Sequence, residues 1–167
     1  MAINERILGI DPGYAIVGYG VVDYAKAQFM TVNYGAITTD SSSTFEQRLC
    51  EIYDDLCELI VAYKPSYMAV ERVFFTTNQK TAIDVSQARG VILLAAIKHG
   101  VQIAEYTPLQ VKQSVTGYGK ATKSQVQDMT KRILNLAAIP KPDDTADALA
   151  IAICHAHTNI SRRRMLK

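Results

Sequence analysis

Cysteine is scarce in this chain, with 3 in 167 residues: Cys50, Cys57 and Cys154. An odd count without closely spaced pairs excludes a disulfide framework and a thiolate zinc site. All three fall in apolar helical patterns, so buried free thiols are expected, and a reducing compartment suits them. An excess of charge is also missing. The formal net charge is only +2, which excludes a uniformly basic nucleic-acid coat and confines any basic surface to local patches. No apolar run is long enough to cross a bilayer. The N-terminus has no basic segment followed by a hydrophobic core, so no signal peptide is expected, and a cytoplasmic location is. Internal repeats and low-complexity linkers are absent as well.

What is present is a core. Hydrophobic residues make up 49% of the chain, enough for one globular domain, expected over residues 1–158. Residues 159–167 form a short basic tail, expected to be a flexible terminus. A second basic stretch runs from Lys112 to Arg132, where five cations meet the single acid Asp128.

Three runs rich in Val, Ile, Tyr and Phe read as strands in a meander: Arg6 to Ile10, Ile16 to Tyr24 and Phe29 to Ile37. Ser43-Thr44-Phe45-Glu46 has the capping-box pattern and opens a helix with Ile52, Leu56 and Ile60 on one side. Pro65 marks its end. Tyr67 to Val70 is a compact strand ending at Glu71. A helix over roughly Thr81 to Lys98 closes at His99-Gly100. Val101 to Glu105 is the next strand. Thr107-Pro108 opens a short helix that ends near Gly117. Thr122-Lys123-Ser124-Gln125 is another capping box, and the Asp144 segment opens the last helix. The order βββαβαβααα implies a mixed five-stranded α/β sheet with helices on both faces.

Asp144 and Asp147 carry the first chemical signal. Three apart on a helix, they share one face, yet nearly everything after them is Ala, Leu or Ile. Paired carboxylates beside apolar surface repel each other and resist desolvation, and a divalent cation resolves that conflict. The plainer alternative makes one an N-cap and the other a solvated first-turn charge. Asp11 and Glu71 weigh against it. If the first strand and the strand after the first helix run parallel, both acids end at the sheet edge where α/β folds place ligands. The connector from Pro140 to Asp143 could bring Asp144 and Asp147 there too.

Four hard oxygen ligands suit Mg²⁺ or Mn²⁺ rather than zinc. Two such ions about 3.5–4 Å apart can clamp an in-line phosphoryl displacement. Lys112 and Lys123 could neutralise charge on the scissile phosphate; the alternative for each is an ordinary solvated lysine. Phe74, just past Glu71, could stack on a splayed base or anchor its loop in the core. His155 and His157 are two apart, so a helix points them apart and no metal role is assigned. Asp11-Pro12-Gly13 also fits the phosphate loops of the sugar-kinase and actin-type ATPases, but that superfamily needs two such domains.

Six motifs occur in order: Ile10-Asp11-Pro12-Gly13, Val70-Glu71-Arg72-Val73-Phe74, Gln87-Ala88-Arg89-Gly90-Val91, Gln110-Val111-Lys112-Gln113, Lys123-Ser124-Gln125-Val126 and the segment from Asp144 to Ala150. Together they resemble the RuvC family of bacterial Holliday-junction resolvases, from Ile7 to about His157. The resemblance implies a ribonuclease-H-like fold, with Asp11, Glu71, Asp144 and Asp147 as catalytic ligands of Mg²⁺ (or Mn²⁺), two ions per site. It implies active-site roles for Lys112 and Lys123, and an aromatic acting at the junction centre in Phe74. DNA contact is expected at Phe74, Lys120 and Lys123. The segment from Thr81 to Lys98 matches the helix that pairs two subunits. Further implications are symmetric nicks in strands of like polarity, during recombination and repair, and partnership with the RuvA and RuvB branch-migration proteins. The junction's two-fold symmetry asks independently for a homodimer. Two alternatives stand beside this: a ribonuclease-H-like enzyme of the YqgF type acting on RNA, and a junction-binding protein without catalysis. A binding-only protein has no reason to gather four acids near phosphates.

Overall fold

The computed structural model describes residues 5–72 and 79–165. Ten elements follow in chain order: β1 (Glu5–Asp11), β2 (Ile16–Ala25), β3 (Gln28–Thr38), α1 (Phe45–Tyr63), β4 (Tyr67–Glu71), α2 (Gln79–Lys98), β5 (Gln102–Tyr106), α3 (Pro108–Thr116), α4 (Lys123–Ile133) and α5 (Asp143–Met165). This is the order the sequence implies. The five strands form one sheet, β3-β2-β1-β4-β5. The meander β1–β2–β3 is antiparallel, whereas β1–β4 and β4–β5 are parallel. The β1–β4 pairing puts the C-terminal ends of both strands, and so Asp11 and Glu71, on one edge.

The two-residue period of a strand decides which face each of these residues occupies. On β1, Leu8 and Ile10 pack with Ile52, Leu56, Ala88 and Ile92 from the α1 and α2 side. Ile7 packs on the opposite face with Leu149, Ile153 and Val115 from the α3–α5 side. Gly9 and Asp11 follow Ile7 at steps of two. On β4, Met68 and Val70 face α1 and α2, while Ala69 faces α5, and Glu71 is two beyond Ala69. Both carboxylates therefore project on the face that α5 covers. The central strands β1 and β4 are buried on both sides, which is why they read as nearly unbroken apolar runs.

Caps fix where the helices start. Thr44, Thr107 and Thr122 each close a capping box, with Gln47, Gln110 and Gln125 as third helical residues. The first differs by one residue from the Ser43–Glu46 box expected from sequence. Ser43 is taken up by the preceding turn, its N–H donating to the Asp40 carbonyl at 3.2 Å. The thiols differ as well: Cys154 is buried, Cys57 half-buried and Cys50 exposed. Cys50 lies about 200° round the helix from Ile52, the first residue of the buried stripe. Phe74 lies outside the described residues. The backbone of α5 continues through Met165, so residues 159–165 of the basic segment extend that helix. No helix among the described residues is long and apolar enough to cross a membrane.

Candidate active site

Asp11 is the last residue of β1 and Glu71 the last of β4. Asp144 and Asp147 stand in the first and second turns of α5, which begins at Asp143. Neither is therefore the N-cap, and the plainer reading of that pair falls away. The α5 backbone reaches the sheet edge because the strands beneath it carry glycine. Asp11 pairs across the ladder with Gly18, and Gly9 with Gly20. A Cβ on Gly9 would overlap the Ala148 carbonyl, and one on Gly18 the Asp144 carbonyl. Thr145, fully buried, donates its hydroxyl to the Gly35 carbonyl at 3.0 Å and pins the first turn to β3.

The carboxylates feel one another. Burial pushes the Asp11 carboxyl up to about 8, helped by the charges of Glu71, Asp147 and Asp144 and opposed by Lys123. Glu71 is raised by burial and by Asp147, with Lys112 and Lys123 pulling the other way. Asp147 is raised too, mainly by burial, although Lys123 bonds to it. Three carboxyls held above their ordinary range at one sheet edge mark a site short of positive charge.

Lys123, the first residue of α4, supplies part of that charge. Its Nζ lies 3.0 Å from Asp147 Oδ2 and 3.7 Å from Asp143 Oδ2. Burial works against its ammonium, but the bond to Asp147 and the charges of Asp147, Asp143 and Asp11 outweigh it and raise its pKa. Asp143 was invisible as a site residue in the sequence, where it reads as connector; only its adjacency to Asp144 hinted otherwise. Lys141 also holds it, at 2.6 Å.

Glu71, Lys112, Lys123 and Asp147 line one cleft of about 260 Å³, with Val111 and Ile151 among its apolar walls. Lys120 is exposed on the turn before α4 and is not among the residues lining that cleft. His155 and His157 do point apart: His155 bonds through Nδ1 to the Tyr106 hydroxyl at 2.8 Å, while His157 meets Ser114. Among the described residues, no three His, Cys, Asp or Glu side chains already stand close enough to hold an ion together. The donor set is nevertheless all carboxylate oxygen, which fits a hard divalent cation.

Known proteins resemble this chain along nearly its whole length. The family model described as crossover junction endodeoxyribonuclease RuvC matches residues 7–155. The protein of that name from Alkaliphilus metalliredigens is 59% identical over 152 residues, 91% of this chain and 93% of the relative. That from Alkaliphilus oremlandii is 57% identical with the same coverage. The structure of Thermus thermophilus RuvC in complex with Holliday junction substrate superposes with a TM-score of 0.90 at 34% identity, covering 95% of this chain and 96% of that one. The yeast mitochondrial Holliday junction resolvase Ydc2, 15% identical, shares the fold with a TM-score of 0.71 over 97% of this chain and 82% of its own. The ribonuclease-H-like architecture expected from sequence is thus the one observed. With a family model spanning most of its residues, and relatives well over half identical, the chain belongs to the RuvC family of crossover junction endodeoxyribonucleases.

Proposed function

We propose that this chain resolves Holliday junctions by paired symmetric nicks in strands of like polarity, in recombination and repair, using residues 1–158 as the nuclease domain. The observation that carries the reading is the meeting of Asp11, Glu71 and Asp147 at one sheet edge with Lys112 and Lys123 across the cleft. Asp11, Glu71, Asp144 and Asp147 are the proposed ligands of Mg²⁺, with Mn²⁺ as substitute and two ions per site. A divalent ion there supplies Lewis-acid activation of water and stabilises the leaving oxygen.

The protein's own residues do the rest. Lys123 holds Asp147 in place and, with Lys112, faces the phosphate with positive charge. A bound cation would offset the repulsion among these carboxylates. Lys120 touches the DNA backbone from the exposed turn. The role of Phe74 at the junction centre rests on the family resemblance, as does partnership with RuvA and RuvB.

A homodimer is part of the proposal. On α2, Ile83, Leu94 and Ile97 are 56%, 53% and 64% exposed and recur at helical spacing with Gly90. Among the described residues, a Cβ at Gly90 would meet nothing within 4 Å, so they give no reason for glycine there. A second helix approaching closely does.

Cleavage of a synthetic four-way junction tests the reading, against linear duplex and an RNA–DNA hybrid, with Mg²⁺ and then with EDTA. Paired nicks in the junction alone, lost with EDTA, are expected. Cleavage of the hybrid instead would move the chain to RNA processing of the YqgF type.

A further inference from the structure

Glu71 ends its strand, and strand ends fray before strand centres. Its carboxylate can only be as well placed as the backbone beneath it. One side of that backbone is paired with β5: Glu71 lies opposite Tyr106, and the Arg72 N–H donates to the Tyr106 carbonyl at 2.8 Å. From the face away from α5 comes Arg89, on α2. Its Nε donates to the Glu71 carbonyl oxygen at 3.4 Å, a long bond, and its Nη2 lies 2.8 Å from Glu105 Oε1. Glu105, on β5, also accepts from Arg72 Nε through its other oxygen at 3.3 Å.

The Arg89–Glu105 pair is the firmer half of this network. The Arg89 side chain is 18% exposed against 56% for Arg72, so its charge-assisted bond is less screened. Glu105 is held below its ordinary range, first by the hydrogen bond from Arg89. Anchoring α2 does not require the pair. Ala88, Ile92, Ala95 and Ala96 are already fully buried against the sheet side of that helix. What the guanidinium adds is a donor fixed at the backbone of one residue, Glu71.

We propose that Arg89 is a positioning residue for the Glu71 carboxylate, with Glu105 holding its guanidinium in the plane that reaches the Glu71 carbonyl. This rests on reading Glu71 as a divalent-cation ligand. Lysine at this position keeps the charge but, as a point donor, cannot span both partners in the fixed fork geometry. Glutamine at 105 keeps the shape and weakens the clamp.

Mn²⁺ binding to the full chain, measured by titration calorimetry beside thermal melts, tests this without junction cleavage. Arg89→Lys and Glu105→Gln should each weaken Mn²⁺ binding about tenfold or more, the range for groups that orient metal ligands. The double variant should be little worse than either alone, because both break one linkage. Melting temperatures lowered with Mn²⁺ affinity unchanged would make the pair structural only and overturn the proposal. Wild-type affinity in both variants would overturn it as well. A wild-type chain that binds no Mn²⁺ would overturn the metal reading and this proposal with it. Mn²⁺ binding without junction cleavage would count against the resolvase reading alone.

Discussion

A Cβ on Gly18 would overlap the carbonyl group of Asp144 and stand 3.0 Å from the Asp144 Cβ. Gly18 faces Asp11 across the β1–β2 ladder, so the missing side chain lets the α5 backbone, with two carboxylates on it, settle beside the third. The site's geometry depends on a residue that offers no functional group.

Gly18→Ala should therefore separate Asp144 and Asp147 from Asp11 and cut junction cleavage on the order of 10²-fold, the effect of a displacement near 1 Å. Gly20→Ala is the control. Its Cβ would press on the Leu149 side chain, with Cγ 2.7 Å away, which costs packing rather than carboxylate placement. Metal titrations of cleavage for the two variants decide this. A raised half-saturating Mg²⁺ concentration is expected for Gly18→Ala alone, and equal curves would refute the assignment.

Asp11→Asn should abolish cleavage while keeping or tightening junction binding, since a charge opposing the phosphates is removed. Its metal-free stability should depend on pH in a defined direction. The folded carboxyl titrates near 8 against an ordinary 3.8. A raised carboxyl pKa leaves stability intact below the ordinary value and erodes it as pH rises toward the folded value. The variant should thus melt with the parent at pH 3.5 and above it at pH 8, by about 2–4 °C for each kcal/mol recovered. Melts in EDTA at the two pH values measure it, and an equal difference at both would show that Asp11 is not the strained carboxyl.

Junction binding should weaken steeply with salt. Three phosphate contacts from each subunit of the dimer, by Lys112, Lys120 and Lys123, predict a loss on the order of 10³-fold between 50 and 200 mM salt. Lys112→Gln, which removes one contact from each subunit, should flatten the plot of log affinity against log salt by about two. Fluorescence anisotropy across the salt series reads the slope, and a flat wild-type response would contradict a phosphate-dominated interface.

Gly90 separates helix stability from association. Gly90→Ala should favour the helix by about 1 kcal/mol and yet loosen the dimer, because the new methyl enters the seam. Leu94→Glu, which puts charge on the exposed stripe, should leave monomers. Sedimentation at several protein concentrations tests both, and a Leu94→Glu dimer as tight as wild type would place the interface elsewhere.

Much of this was legible in the sequence because it is local or periodic. Runs rich in Val, Ile, Tyr and Phe, threonine caps and a Gly after the α3 turn set the order of the elements. Asp11 and Glu71 were readable because each directly follows a buried strand run, and Asp144 with Asp147 because helical spacing puts them on one face. The misreadings were local too. The α1 capping box could start at Ser43 or Thr44, and only the turn to Asp40 chooses between them. Cys50 sits in an apolar pattern but on its wet face.

The sequence by itself determined the element order, the helix face shared by Asp144 and Asp147 and the hard-ligand character of the set, since these follow from residue pattern, helical spacing and donor chemistry. Tertiary structure alone decided that Lys123 pairs with Asp147 and Asp143, that Arg89 on α2 reaches the backbone of Glu71, and that Gly9 and Gly18 seat α5. Each of these joins residues far apart in the chain. A glycine shows its purpose only when another backbone lies against it, because what it contributes is space, and space has no pattern in one dimension.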